Sequence, residues 1–368
     1  MDKKAFSNFS NGGIKGRGSD STVPGRFETL TRTSTDDGWE SSNTTDAPAV
    51  KTVIHWDNAK SIISENTSPD IPHKLSANPY RGCEHGCVYC FARTSHSYLG
   101  LSPGLDFETQ LFAKKDAARL LEKELANPRY QPHPLALGII TDAYQPSERT
   151  LKITRQMLTV LAQYRHPVSI VTKSALVERD LDILTELAQQ QLIEVAISIT
   201  SLDNDLTRRL EARAAAPARR LKIIERLARA GIPTTVMMAP IIPAVTDSEI
   251  ETLLKAAADA GATGAGYIVL RLPHELKEVF RQWLHTHLPQ RAEKVMAQVQ
   301  ALHGGSDYNP QFFKRHRGEG VLAELIAKRF ERARQQFNLN KRRTLHLRCD
   351  LFRPADKKAT RGQMQLDF

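Results

Sequence analysis

The sequence predicts an α/β fold: a partial (β/α)6 barrel with a disordered N-terminal tail and a helical, basic C-terminal extension. Two observations predict it. From residue 74 to 274, short β-branched runs alternate with longer stretches of helical pattern, which is how parallel strands joined by crossover helices read. The units number six, enough for an open barrel and short of the eight that close one.

Taken in order, residues 1–50 are rich in Ser, Thr, Gly and Asp with few apolar side chains. Such a segment cannot repay the entropy of ordering and reads as a disordered tail. Residues 51–73 lead in, and a first strand stands just ahead of Cys83. LALGIITD (135–142) is followed by a helix near 150–164, VSIVTK (168–173) by 178–190, and IEVAISIT (193–200) by 217–230. PTTVMMAP (233–240) is followed by 247–260, and GAGYIVLRL (264–272) is the sixth strand. Residues 275–340 read as helices and 341–368 as a basic, irregular tail.

No segment approaches the roughly 18 consecutive apolar residues of a membrane span, and the amino terminus does not resemble a signal sequence, so a cytoplasmic protein is expected. Four cysteines in 368 residues, three of them crowded together, do not make a disulfide framework. The net charge of +10 favours an anionic partner such as nucleic acid.

Three cysteines fall within RGCEHGCVYCFAR, at Cys83, Cys87 and Cys90. The loop directly follows the predicted first strand, at the carboxyl end of the sheet, where chemistry gathers in such folds. Gly82 and Gly86 let it wrap a compact object. Three readings compete. Buried structural cysteine accounts for single residues but poorly for this crowding. Structural zinc takes four ligands, with His85 or Cys349 as the fourth. An iron-sulfur cube held by three thiolates leaves one iron open to an outside ligand.

The spacing C-x3-C-x2-C with Tyr89 before the last cysteine resembles the signature of the radical S-adenosylmethionine (radical SAM) superfamily. The resemblance implies a [4Fe-4S] cluster on Cys83, Cys87 and Cys90, with SAM on the open iron. It also implies reductive cleavage of SAM, hydrogen abstraction from a substrate, and a reducing partner such as flavodoxin or ferredoxin. Within the superfamily the chain looks similar to the spore photoproduct lyase and DNA-repair photolyase-like group. That likeness runs through NPYRGCEHGCVYCFAR, GIITDAYQPSE, VTKS, ISITSLD, LEARAAAPARR and MMAPIIP.

If it holds, Tyr89 and Phe91 frame the cluster and SAM, Thr141 lies near the amino acid end of SAM, and Lys173 faces its carboxylate. Ser198 bonds the ribose and the backbone at Ala239 lines the adenine. Arg213 either reaches the same carboxylate or is one of many arginines in its segment. Asp142 and Glu148 either contact SAM and substrate or cap the helix beginning near Thr150. The lyase carries a hydrogen-donating cysteine near the end of its second strand, where this chain has Ile139. The candidate replacements are Tyr144, Tyr98 and Cys349.

FFKRHRGEG, AKRFERARQQF and NLNKRRTLHLRC concentrate positive charge, and a helix over 320–337 puts Leu322, Leu325, Ile326, Phe330, Ala333 and Phe337 on one face. The C-terminal QMQLDF, with Gln363, Leu366 and Phe368, resembles the peptide by which bacterial DNA-processing proteins dock on the replication sliding clamp. The expected function is thus radical hydrogen abstraction from a damaged or modified nucleic acid base. The alternative is a zinc-stabilised nucleic-acid-binding module without catalysis.

Overall fold

The structure is a computed structural model and describes residues 14, 16–19, 22–28, 50–340 and 347–354. QMQLDF and the KRR run at 341–343 lie outside the described residues.

Six parallel strands form the sheet: β1 (Leu75–Ala77), β2 (Leu135–Leu137), β3 (Val168–Thr172), β4 (Ile193–Ser198), β5 (Thr234–Ile241) and β6 (Gly264–Val269). Each pairs with its neighbour in chain order, so consecutive β/α units lie side by side. The crossovers are α1 (Ala117–Leu125), α2 (Ile153–Gln163), α3 (Leu181–Gln189), α4 (Pro217–Arg229) and α5 (Ile250–Asp259). Pro217 opens α4 at a position where its missing N–H costs nothing. Ile153, Met157, Val160 and Leu161 are the buried side of α2, at the spacing that puts them on one face.

The expected strands are present, several of them ending earlier than expected and one much shortened. LALGIITD stops being a strand at Leu137, because Gly138 turns into the left-handed region (φ +81°) and sends residues 139–145 back over the strand end. A Cβ there would stand 3.0 Å from both the Cβ and the nitrogen of Ala143, so the turn needs glycine.

Short strands in the lead-in and around the cysteine loop were not legible. Ile63–Glu65 pairs antiparallel with β1. Val53–Trp56, Gln110–Ala113 and Tyr80–Arg81 make a second, three-stranded sheet. Strands of two to four residues carry little periodicity, and their neighbours decide them.

The extension is helical as expected, with α6 (Leu276–His287), α7 (Ala292–Leu302) and α8 (Gly320–Gln336). The buried face of α8 is Ala323, Ile326, Phe330 and Ala333, whereas Leu325 is 51% exposed, so the apolar stripe sits slightly round from the one expected. Phe330 packs against Tyr267 of β6 with ring centroids 4.5 Å apart and planes tilted by 46°, which ties the extension to the sheet edge. Part of the basic face of α8 is engaged within the chain, since Arg329 grips both carboxylate oxygens of Glu251 on α5.

The N-terminal segment departs from expectation. Of residues 1–50, those at 16–19 and 22–28 are described and packed, with Arg17, Ser19 and Val23 buried. Composition misses this because the partners are polar and distant in sequence.

Replacing Phe330 by Ala is expected to lower the unfolding free energy by about 3 kcal/mol, read as a lower urea midpoint at unchanged slope.

Candidate active site

The loop between Tyr80–Arg81 and the 3-10 helix Phe91–Leu99 is a run of tight turns. Gly86 N–H donates to Cys83 C=O (3.3 Å), Cys90 N–H to Cys87 C=O (3.2 Å) and Arg93 N–H to Cys90 C=O (3.1 Å). Gly86 has φ +65°, and a Cβ on it would lie 2.6 Å from Glu108 Oε2. The loop shape therefore requires glycine at that position.

Cys83 and Cys87 are buried, Cys90 is half-buried, and all three are free thiols. Burial pushes the Cys83 thiol well up, reinforced by Asp142, Cys87 and Cys90. Burial also raises Cys87 to about 12, against the pull of Lys173. Buried thiols at Cys83 and Cys87 whose ionisation is disfavoured fit a cluster whose irons supply the missing positive charge. Corners of a cube stand farther apart than the donors of one ion, and among the described residues no three His, Cys, Asp or Glu side chains converge as the latter do.

Four carboxylates hold this loop, three of them buried and one, Asp142, partly so. Glu108, fully buried, accepts from Arg93, whose guanidinium also donates to the carbonyls of Gly86 (3.1 Å), Cys87 (2.8 Å) and Gly104 (2.7 Å). Glu84 accepts from Arg213 (2.9 Å), Thr52 (2.9 Å) and Ser147. Asp142 accepts from Tyr144 N–H, Thr172 Oγ1 and Lys173 N–H at 2.7–2.8 Å and faces His85 Nδ1 at 3.2 Å. Burial works against its charge, but His85 and these donors hold its pKa down at about 2.

Glu211, in the loop after β4, is the fourth. It accepts from Arg220, from Tyr89 Oη and from Thr200 Oγ1 (2.8 Å), and Arg220 also donates to Ser198 C=O (2.9 Å) and Ala215 C=O (2.7 Å). Its backbone bridges to Cys87, and Val88 N–H donates to Leu210 C=O (3.0 Å). The pKa of Glu211 is held down to about 2: burial opposes its charge, but Arg220 and Lys173 outweigh it.

Several expected residues are therefore together. Tyr89 is buried in the Glu211 knot, with Lys173 Nζ 5.7 Å from its ring centroid. Lys173 also lies near Cys87 and Cys90; burial opposes its charge, but Cys87 and Glu211 raise its pKa. Ser198 ends β4, and Ala239 C=O on β5 faces Thr200 Oγ1 at 3.5 Å. Phe91 lies under the Arg271 guanidinium, 4.0 Å from the ring centroid. A cleft of about 380 Å³ opens beside the loop, lined by His85, Tyr144, Ser174, Arg213 and Arg219 among others.

Other expected residues have partners within the chain. Thr141 Oγ1 donates to Gly82 C=O (2.7 Å) and accepts from Gln145, so it braces the cysteine loop. Arg213 spends its charge on Glu84. Glu148 accepts from the Thr154 and Arg155 N–H groups at the start of α2, from Arg179 and from Tyr80, which is the capping reading.

Cys349 and Tyr98 lie away from the cysteine loop, whereas Tyr144 lines the cleft beside it. Cys349 sits at the opposite end of the sheet: flanking it, Arg348 N–H donates to Gln191 C=O ahead of β4 and Arg353 N–H to Tyr164 C=O ahead of β3. That position also removes it as a fourth zinc ligand. Tyr98 is 71% exposed and stacks on Phe27. The buried hydroxyl of Tyr144 lies beside Asp180, under the influence of Arg179.

Sequence reasoning missed Glu84, Arg93, Glu108, Glu211 and Arg220. Glu211 and Arg220 stand inside LEARAAAPARR, where a lone acid between arginines was the available signal.

An open sheet of six parallel strands with three free thiols in the loop after the first defines the radical SAM class of enzyme. The chain belongs to that superfamily: its family model matches residues 77–257. The cofactors of the superfamily are a [4Fe-4S] cluster and SAM. An uncharacterized protein of Mycobacterium bovis is 37% identical over 260 residues, covering 70% of this chain and 75% of its own. One of Methanocaldococcus jannaschii is 27% identical over 176 residues, covering 48% and 63%. In fold the chain is similar to spore photoproduct lyase complexed with dinucleoside spore photoproduct, with a TM-score of 0.57, 15% identity, and 77% and 79% of the two chains covered. A double mutant of that lyase with bound AdoMet and dinucleoside spore photoproduct gives a TM-score of 0.56 at 15% identity.

Two outcomes follow from this geometry. Glu211→Gln leaves Arg220 buried without its counter-charge and is expected to cost about 3 kcal/mol of stability by urea unfolding. Cys349→Ala, remote from the loop, is expected to leave the yield of 5'-deoxyadenosine at the wild-type level.

Proposed function

We propose that this radical SAM enzyme draws a hydrogen atom from a base of a nucleic acid, in the manner of a repair enzyme. When bound, the reduced cluster and SAM supply a carbon-centred radical able to remove that atom. The chain's own residues position and shield it. Lys173 offers its ammonium to the SAM carboxylate, Ser198 bonds the ribose, and the backbone around Ala239 lines the adenine. Glu211 and Arg220 hold Tyr89 against the cluster side of this space. The superfamily needs a reductant, for which a flavodoxin or ferredoxin is the proposed source.

The observation that carries the substrate class is the loop 311–317. The parallel sheet is open, with Ile63–Glu65 and β6 as its two edges. Arg315 grips Asp70, beyond the first edge, with two bonds of 2.6 and 2.8 Å, while Val269 N–H on the second edge donates to His316 C=O (3.0 Å). The loop thus spans the open side, next to Arg271, which covers Phe91 beside Cys90. It leaves Phe312 50% and Phe313 65% exposed, with the Arg315 guanidinium 4.9 Å from the Phe312 ring centroid and Lys314 paired with Glu319. Exposed rings among cations suit unpaired bases on a polyanionic backbone. The lyase structures bound to a dinucleoside photoproduct support the same substrate class. No helix among the described residues is long and apolar enough to cross a membrane.

Oxygen-free protein reconstituted with iron and sulfide, given dithionite and SAM, is expected to release 5'-deoxyadenosine. With a base-deuterated, ultraviolet-damaged oligonucleotide, deuterium is expected in that product. Product formation whose label never comes from any nucleic acid would sink the substrate assignment. Phe312→Ala and Phe313→Ala are each expected to weaken binding of a single-stranded oligonucleotide by about tenfold, measured by fluorescence anisotropy at fixed salt.

A further inference from the structure

We propose that residues 16–19 and 22–28 form a latch that holds the cysteine loop in the shape that accepts the cluster, with Gly18 at its contact point. The inference rests on the cluster being bound by Cys83, Cys87 and Cys90, and extends the site to a segment far from them in sequence.

The latch is tied to the loop through Glu108. Gly18 N–H and Ser19 N–H each donate to a different oxygen of this fully buried carboxylate, both at 2.9 Å. Arg93 approaches the same carboxylate from the loop and holds the Gly86 and Cys87 carbonyls. The hydrogen-bonded path thus runs from the latch through Glu108 and Arg93 to the backbone of a cluster ligand. Arg17 adds a bond to Glu108 C=O (2.9 Å) and another to Thr52 Oγ1 (3.0 Å), itself bonded to Glu84 of the loop. Further along, Val23 packs into the apolar group that contains Cys87, Val88 and Tyr89, and Ser102 Oγ donates to its carbonyl (2.6 Å). Arg26 N–H closes the far end on Glu275 (3.0 Å).

Contact at Gly18 leaves no room for a side chain. A Cβ there would sit 1.7 Å from the carbonyl oxygen of Gly86, between Cys83 and Cys87 in the chain, which the loop cannot yield without turning that peptide. Without the latch amides, Glu108 keeps Arg93 but has unsatisfied lone pairs in a buried site, which pulls at Arg93 and so at the loop. Groups that orient metal ligands from behind typically change metal retention by 10–100-fold.

The test uses the full-length chain, reconstituted without oxygen, and follows iron passing to a ferrous chelator. Gly18→Ala and Arg17→Met are expected to lose iron roughly tenfold faster than wild type. Thr22→Ala, at an exposed position of the same segment, serves as the control at the wild-type rate. Circular dichroism of the metal-free variants is expected to match wild type with only a modest fall in melting temperature, whereas a general packing defect would change both. Should Gly18→Ala fail to fold, Arg17→Met decides. Wild-type iron loss in the folded variants overturns the latch, whereas a wild-type chain that takes up no cluster overturns the cluster assignment beneath it.

Discussion

A loop that carries three free thiols within eight residues is not held by its own secondary structure, and the rest of this site follows from that constraint. Its backbone turns away from any sheet or helix ladder, so its carbonyls and amides need other partners. The chain supplies them with charged side chains taken wholly out of water. Arg93 and Arg220 are both fully buried, each paired with a buried carboxylate and each spending its remaining donors on loop or strand-end carbonyls. Buried ion pairs of this kind bring little net stability against apolar packing of equal volume. Their return here is geometric, because a planar guanidinium with several donors fixes several backbone groups at once.

The same view explains what could be read in advance. The strands and crossovers were legible because burial is written locally, in apolar runs and helical spacing. The cysteine loop stood out because three cysteines at one spacing have few other uses. The braces were not. Glu108 lies in a short helix with no special pattern, and its partners come from residues 18, 19 and 93. A polar residue committed to a distant polar residue leaves no trace in periodicity. The tail-like composition at the amino terminus misled for this reason: it measures apolar content, whereas the segment is held chiefly by backbone amides on a carboxylate. The donor assignment to Cys349 failed differently, since rarity of a residue type says nothing about which end of a sheet it reaches.

The position of Ile139 gains meaning from the corrected placements. It follows Gly138, whose turn carries residues 139–145 across the end of β2, and it is half-buried there. Thr141, Asp142 and Gln145 in the same turn are all spent on bracing the cysteine loop or β3. A segment so committed can exchange a thiol for an aliphatic side chain at one position without disturbing the site. The fold therefore tolerates loss of the donor that the lyase resemblance implies, and the fate of the substrate radical is separable from its formation.

The charge of the chain is a poorer guide to its partner than the placement of the charge. Of the arginines, Arg93 and Arg220 are internal, while Arg155, Arg179, Arg219, Arg315 and Arg329 are engaged by carboxylates of the same chain. These contribute to the net +10 yet are largely neutralised locally. What distinguishes the loop 311–317 is that its anchoring charge, Arg315 on Asp70, is spent to hold two aromatic rings in water at the open side of the sheet. Two adjacent exposed rings held by an anchored loop are a candidate contact surface. The nucleic acid proposed as substrate, with flat bases and a negative backbone, would meet both features of that loop.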